Sequence, residues 1–365
     1  MSSASRPSPL FRRLAPGVAL VAALAAGQVT ARMQTPAAGP DARGITAVDG
    51  LKVGSITLTE RPTGCTVIVV DGAGAVGGVS QRGGAPGTRE TDLLDPSNMV
   101  DKVNAIVLAG GSAYGLEAAT GAVRWLEEHD MGWDVRIAKV PIVPSAILFD
   151  LPVGGNPKVR PTADCGYKAA AAATNGKVQE GSVGAGAGAT VGKSGGGNRS
   201  MKAGLGSYAI RMPNGLVVGA LVAVNAVGDI IDPDTGKIVA GVRNPDNTFA
   251  DARQILRRGG PSQTPRPGAN TTIGLVATNA KLTKADAHRM ALMADDGFAR
   301  AIFPSHTMGD GDTVFSLGTG TWTGEVNITQ IGALAADVMA KAIVRAATEA
   351  TGLPNLPAAR DLAKR

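Results

Sequence analysis

The sequence predicts a layered α/β or α+β sandwich. Predicted strands and helices interleave along the chain without a regular repeat, which favours packed layers over a solenoid. The 365 residues are 44% hydrophobic but only 3% aromatic, and they include 50 Gly, so the core must be built from small aliphatic side chains. We expect one domain over residues 46–350, followed by a C-terminal tail, residues 351–365.

Residues 1–31 are typical of an export signal. An Ala-, Val- and Leu-rich stretch, residues 14–26, is too short to span a bilayer comfortably, and it follows a positive front made by Arg6, Arg12 and Arg13. Small residues at 29–31 offer a cleavage site. We therefore expect a periplasmic or secreted protein, with an uncleaved membrane anchor as the alternative.

The mature chain then begins with a flexible lead-in, residues 32–45, rich in Pro and Gly. The signal holds three Arg and no acidic residue, so only +3 of the net charge of +6 belongs to the mature chain. A charge this small argues against a nucleic-acid partner. No other segment is apolar enough to cross a membrane, which argues against a stable membrane anchor.

Hydrophobic periodicity assigns the elements in order. Extended runs predict strands at 51–58, 65–70, 105–108, 136–143, 146–151, 207–210, 216–224, 272–277 and 313–318. Helical spacing of apolar residues predicts helices at 114–128, 164–173, 284–302 and 328–350. Loops are expected at the polar segment 72–96, the Gly-rich segment 181–197 and a linker, 251–270.

The chain has two cysteines, Cys65 on a predicted strand and Cys165 on a predicted helix. In an oxidising compartment they could pair. We favour the alternative, in which both are small buried thiols.

Two Gly-rich motifs resemble nucleotide-binding loops, but neither has the required context. Residues 72–77 fit the dinucleotide pattern GxGxxG, yet no helix follows them. Residues 187–194 approach a phosphate-binding loop, but Ala replaces the first Gly and three more Gly follow in place of a helix. We therefore expect no cofactor. Lys193, held among glycines, points into a cleft or into solvent.

The stretch around Thr271 suggests a self-cleaving nucleophile. A Pro- and Gly-rich loop runs into Thr271 and Thr272, which open a β-branched apolar run. The Thr271 hydroxyl can attack the carbonyl carbon of Asn270. Cleavage then gives Thr271 a free α-amine, with an ordinary pKa near ~8, that can act as a base beside the hydroxyl. An ordinary strand start is the alternative, because Thr is a good strand former.

Three further polar residues fit such a site. Asn225 directly follows the predicted strand 216–224 and is a candidate oxyanion donor, or a turn-forming Asn. Asp310 and Asp312 are spaced to project to one side of an extended segment, where they could hold the α-amine or tune a neighbour; a plain Asp-Gly turn is the alternative. We expect no metal: the pair lacks the further acids of a calcium loop, and the histidines lack zinc spacing.

Together these residues resemble the P1 peptidase family, which includes L-aminopeptidase/D-esterases, β-peptidyl aminopeptidases and the endo-type nylon-oligomer hydrolase. The resemblance covers about residues 50–350. It rests on separated blocks at residues 87–92 (GTRETD), 108–116 (LAGGSAYGL), 188–193 (GATVGK), 270–273 (NTTI) and 306–313 (HTMGDGDT).

The resemblance implies a four-layer αββα sandwich, self-cleaved between Asn270 and Thr271 into an α chain ending at 270 and a β chain beginning at 271. It implies homo-oligomers of these αβ heterodimers. It also implies Thr271 as nucleophile, Asn225 as oxyanion donor, Lys193 as an active-site lysine, and Asp310 and Asp312 as the pair that orients the nucleophile. Phe149 stands where some members have an active-site Tyr, which removes one phenol from the site.

The resulting expectation is an exported aminopeptidase that acts on small peptides or amides through an acyl-enzyme. One alternative is an acyltransferase resembling ornithine acetyltransferase, which would differ in using an amine in place of water to resolve the acyl-enzyme. The second alternative is a binding protein that has lost catalysis.

Overall fold

The computed structural model describes residues 38–259 and 270–362, which belong to one compact unit. The predicted signal peptide, residues 1–31, and residues 260–269 of the predicted linker lie outside the described residues. No helix in the described part of the chain is long and apolar enough to cross a membrane.

The longer strands are β1 (Leu51–Thr57), β2 (Gly64–Val70), β3 (Ala75–Gln81), β4 (Ala105–Ala109), β5 (Ser145–Ile147), β6 (Leu205–Arg211), β7 (Val217–Asn225), β8 (Asp229–Ile231), β9 (Ile238–Ala240), β10 (Thr271–Ala280) and β11 (Thr313–Trp322). The helices are α1 (Ala118–Glu128), α2 (Ala163–Ala171), α3 (Ala252–Arg257), α4 (Lys284–Ala301), α5 (Ile328–Thr348) and α6 (Ala359–Leu362). Two-residue strands and short 3₁₀ turns complete the chain.

The larger sheet has the order Gly39–Pro40, β6, β7, β10, β11, β3, Lys102–Val103. Its central strands β10 and β11 run parallel, and every other pairing in it is antiparallel. Because β10 and β11 are parallel neighbours, their first residues meet at one edge of the sheet. That edge carries the candidate site described below.

The smaller sheet has the order β1, β2, β4, β5, Thr88–Arg89. Helices α1 and α2 pack on its outer face, and α4 and α5 pack on the outer face of the larger sheet. The layers are therefore helices, sheet, sheet, helices, which confirms the αββα sandwich.

Side-chain alternation along the strands explains the layers. On β7, Val218, Ala220 and Val222 face α4 and α5, whereas Val217 and Leu221 face the other sheet. Strand β4 alternates likewise, with Ile106 and Leu108 between the sheets and the intervening residues against α1 and α2. Both faces of each strand are buried, which is why the sequence shows continuous apolar runs there.

Strand β3 falls inside the segment predicted to be a polar loop. Glycines obscured it: Gly77 and Gly78 lie in mid-strand, where Gly is unfavourable by propensity. A Cβ on Gly78 would meet the backbone N of His288 in α4 at 2.5 Å. The missing side chain lets α4 approach the sheet. The predicted linker 251–270 likewise contains a short helix, α3.

The expectation of two free thiols is wrong. Cys65 on β2 and Cys165 on α2 form a disulfide, with the Cα atoms 6.2 Å apart. Helix α2 packs directly on β1 and β2, so two buried cysteines of adjacent layers face each other.

Candidate active site

Thr271 is the first residue of β10, in the middle of the larger sheet, and it is 1% exposed. Its Oγ1 donates a hydrogen bond of 2.5 Å to the carbonyl oxygen of Asn270. The same oxygen accepts the backbone N–H of Gly311 at 2.9 Å. The hydroxyl therefore lies against the peptide group that would be cut, and that carbonyl is polarised by a fixed backbone donor.

Gly311 makes this arrangement possible. A Cβ on Gly311 would lie 2.8 Å from Oγ1 of Thr271 and 2.7 Å from the carbonyl oxygen of Ala85. Any larger residue would crowd the hydroxyl. The glycine between the two aspartates is thus required by close packing, beyond any role as a turn residue.

Asn225 ends β7 directly opposite Thr271 in the antiparallel register. Its side chain is buried and held on both sides: Oδ1 accepts the backbone N–H of Thr190 at 3.0 Å, and Nδ2 donates to the carbonyl of Phe149 at 2.9 Å. An amide nitrogen has two protons, and only one of those on Asn225 Nδ2 has a partner among the described residues, so the other is available to a ligand. The observed position suits the predicted oxyanion donor.

Lys193 follows Gly192, whose left-handed backbone turns the chain back toward β7. Its Nζ donates to Oδ1 of Asn225 at 2.8 Å and to the carbonyl oxygen of Asn225 at 3.0 Å. Burial lowers the pKa of Lys193 to about 7, against the opposing charges of Asp310, Asp150 and Asp312. The lysine lies inside the site and is anchored to the candidate oxyanion donor.

Asp310 lies beside Asn270, with which it forms an isolated parallel bridge. Its Oδ2 accepts the backbone N–H of Thr307 at 2.8 Å, whereas its buried Oδ1 has no hydrogen-bond partner among the described residues. Burial, and next the negative charge of Asp312, raise the pKa of Asp310 to about 6.

Asp312 is fully engaged. Its Oδ1 accepts the backbone N–H of Thr272 at 2.8 Å, and its Oδ2 accepts both the backbone N–H and Nδ1 of His306, each at 3.0 Å. The two carboxylates, only two positions apart, therefore have different partners: both oxygens of Asp312 are hydrogen-bonded, whereas Oδ1 of Asp310 has no partner among the described residues.

The structure brings together all the sequence-predicted site residues, namely Asn270, Thr271, Asn225, Lys193, Asp310 and Asp312. Sequence reasoning missed His306, the N–H of Gly311 and the anchoring carbonyl of Phe149. Backbone groups carry no sequence signal. His306 lies in residues 306–313, one of the segments that carry the family resemblance, but its contact with Asp312 depends on how this loop folds back. The described residues contain no group of three or more His, Cys, Asp or Glu that could hold a metal.

The model of Peptidase family S58 matches residues 43–357. An uncharacterized aminopeptidase of Mycobacterium tuberculosis is 43% identical over 346 residues, covering 87% of this chain and 97% of the relative. A 6-aminohexanoate-oligomer endohydrolase of Paenarthrobacter ureafaciens is 33% identical over 318 residues, covering 81% of this chain and 84% of the relative.

Two solved structures share the fold. A Burkholderia sp. beta-aminopeptidase has a TM-score of 0.60 at 21% identity, covering 85% of this chain and 88% of its own. The L-aminopeptidase D-Ala-esterase/amidase of Ochrobactrum anthropi, described as a variant of the Ntn-hydrolase fold, has a TM-score of 0.62 at 18% identity, covering 86% and 89%.

The family match spans most of the chain and agrees with the layered fold. The chain therefore belongs to Peptidase family S58, and it is a hydrolase of the P1 peptidase type with the fold of the N-terminal-nucleophile aminopeptidases.

Proposed function

We propose that this protein is a self-processing N-terminal-nucleophile hydrolase that cuts itself between Asn270 and Thr271 and then acts as an aminopeptidase on small peptides or amides. One observation carries the proposal. The Thr271 hydroxyl lies 2.5 Å from the carbonyl oxygen of the preceding residue, and Gly311 holds that oxygen from the other side.

Self-cleavage begins when Oγ1 of Thr271 attacks the carbonyl carbon of Asn270. The C–O bond forms as the C–N bond breaks, and the hydroxyl proton passes to the departing nitrogen. Negative charge develops on the Asn270 oxygen, where the Gly311 N–H stabilises it. Water then hydrolyses the ester, leaving a carboxylate on Asn270 and a free α-amine and hydroxyl on Thr271.

Turnover repeats this chemistry on a substrate. The α-amine of Thr271 takes the hydroxyl proton, Oγ1 attacks the substrate's amide carbon, and the proton passes to the leaving amine. Water then releases the acyl group from Oγ1. The free N–H of Asn225 stabilises the oxyanion, and Lys193 fixes the orientation of the Asn225 amide.

Asp310 is the carboxylate available to the α-amine or to an ammonium group. Its Oδ1 is buried and has no partner in the part of the chain that the structure describes, and Asp310 lies beside the peptide proposed to be cut. A pKa near 6 means that Asp310 is mostly ionised at neutral pH and can be protonated in mild acid. Acid–base groups in enzymes commonly have pKa values tuned close to working pH.

The names of the relatives support an amide substrate. One is called an aminopeptidase and another an endohydrolase of 6-aminohexanoate oligomers, and both activities break unactivated amide bonds. Phe149 stands where some family members have an active-site Tyr, so this site lacks a phenol that theirs contain. The preference for particular substrate side chains therefore has to be measured on this protein.

Two further parts of the proposal concern location and assembly. Residues 1–31 direct export, and the disulfide between Cys65 and Cys165 supports an oxidising compartment, where such bonds persist. We also propose that the cleaved αβ units assemble into a homo-oligomer.

The test is a denaturing gel combined with N-terminal sequencing of the smaller band. The purified protein should give two bands, and the smaller should begin Thr-Thr-Ile-Gly. Thr271→Ala should stay a single chain and should not hydrolyse an amino acid p-nitroanilide. Thr272→Ala is the matched control: its buried hydroxyl has no partner in the described structure, so cleavage and activity should persist. Cleavage of Thr271→Ala, or a different N-terminus, would refute the proposal.

A further inference from the structure

His306 lies beside the candidate site, and no step above uses it. Its backbone N–H and its Nδ1 both donate to Oδ2 of Asp312. Its ring stacks on Phe298 of α4, with the ring centroids 5.6 Å apart and the planes inclined by 17°. Its φ of +55° is a left-handed conformation that residues other than Gly seldom adopt, and such conformations persist where surrounding contacts enforce them.

We propose that His306 is a positioning residue for the Thr271 nucleophile and acts through Asp312. This inference rests on the proposed function. The connection is short: His306 fixes Oδ2 of Asp312, and Oδ1 of Asp312 holds the backbone N–H of Thr272. Thr272 directly follows the nucleophile. The orientation of Asp312 therefore helps to fix the position of Thr271 at the start of β10.

The charges around the ring favour an imidazolium. Asp312 faces the ring from the loop before β11, and Asp295 of α4 contributes a second negative charge. Arg82, outside α4, lies 3.5 Å from Asp295. Burial alone lowers the pKa of His306. The hydrogen bond and charge of Asp312, together with the charge of Asp295, outweigh burial, so the pKa is raised overall. When the ring is protonated, its positive charge offsets part of the negative charge of Asp312.

That balance also affects Asp310. The charge of Asp312 is, after burial, the largest cause of the raised pKa of Asp310, and Lys193 acts in the opposite direction. If the positive charge of His306 is removed, Asp310 experiences more of the negative charge of Asp312. The pKa of Asp310 then rises further, and the acid limb of kcat/KM moves to higher pH.

Two substitutions separate position from charge. His306→Asn keeps a side-chain N–H near the place of Nδ1 and tolerates the left-handed backbone, but it carries no charge. We expect kcat at pH 8 within about two-fold of the wild type, and an acid limb displaced upward by roughly 0.5 to 1 pH unit. His306→Gly also loses the ring donor, so we expect kcat at pH 8 to fall by about ten-fold, with KM changed less.

The profiles are measured from pH 4 to 9 on protein shown by gel to be cleaved. His129→Asn is the matched control, because His129 is exposed, its Nδ1 contacts the carbonyl of Trp125 and its ring stacks on Trp125; its profile should match the wild type. An unshifted acid limb in His306→Asn, or equal kcat for the Asn and Gly variants at pH 8, would overturn the inference. An active Thr271→Ala would instead overturn the proposed function, so the two failures are distinguishable.

Discussion

Asn225 and Thr271 are directly opposed on the neighbouring antiparallel strands β7 and β10. The proposed oxyanion donor and nucleophile therefore sit on two rigid backbones joined by a hydrogen-bonded ladder. Catalytic groups placed on strands are held more precisely than groups on loops. This relationship defines the variants that test the site most directly.

Asn225→Ala should lower kcat/KM by roughly 10²- to 10³-fold, which is the usual cost of removing one oxyanion donor. The variant also loses the buried bonds to Thr190 and Phe149, so its stability should fall. Asn279→Ala is the matched control. Asn279 lies at the far end of β10 and likewise bonds two backbone groups, so it should lose stability but keep activity. Equal activity in the two variants would remove Asn225 from the site.

Lys193→Met should lower the activity of the cleaved protein. Oδ1 and the carbonyl oxygen of Asn225 would both lose the Lys193 Nζ as their hydrogen-bond donor. Lys202→Met provides the comparison, since Lys202 is fully buried and its Nζ, among the described residues, donates to the backbone carbonyls of Gly186 and Ala203 and to no side chain. Steady-state rates on one amide substrate decide the matter. If Lys202→Met loses as much activity as Lys193→Met, the effect reflects general packing and not the site.

Stability should depend on pH through Lys202. Burial lowers its folded pKa to about 7, whereas the unfolded chain keeps the ordinary value of 10.5. Between these values the unfolded state binds more protons than the folded state, so the free energy of unfolding rises with pH. Relative to that of Lys202→Met, the free energy of unfolding of the wild type should rise by up to about 1.4 kcal/mol per pH unit between pH 7 and 10. Denaturant titrations of both proteins at several pH values measure these free energies. The prediction fails if the free energy of unfolding changes with pH equally in the wild type and in Lys202→Met.

The disulfide should contribute to stability. It joins residues 100 positions apart, so its loss increases the conformational freedom of the unfolded chain considerably. Replacing both Cys65 and Cys165 by Ala should lower the free energy of unfolding by about 2–4 kcal/mol. Reduction of the wild type should have a similar effect, and the unfolded, unreduced protein should show no titratable thiol. Free thiols in that sample would show that the bond does not form.

Much of the larger sheet could be predicted because its strands are long, β-branched and bounded by turns. The pattern places the start of β10 at residue 272 and the end of β7 at residue 224, each within one residue of the observed boundary. Strand β3 could not be predicted, since Gly77 and Gly78 make the segment look like a loop, although Gly78 is the residue that lets α4 approach the sheet. Here packing overrides local propensity.

Features that depend on tertiary contacts, in the fold and in the site, could not be predicted from the sequence either. The disulfide requires α2 to lie on β2, and spacing along the chain does not reveal that contact. The different partners of Asp310 and Asp312 depend on His306, whose left-handed backbone turns it toward one carboxylate and not the other. Asp310 and Asp312 are followed by different residues, Gly311 and Thr313, but this difference does not indicate which carboxylate His306 contacts.

Strand order in the larger sheet has a consequence for the two proposed fragments. Strands β10 and β11 lie after the cut, yet they are bordered by β7 on one side and β3 on the other, both from before it. The later fragment therefore lies in the middle of the earlier fragment's sheet, and separation would break two strand pairings and expose two unpaired strand edges on each fragment. We expect the nicked protein to survive dilution as one particle. We also expect that neither fragment would fold when expressed alone, because each would lack the neighbouring strands with which its own strands pair.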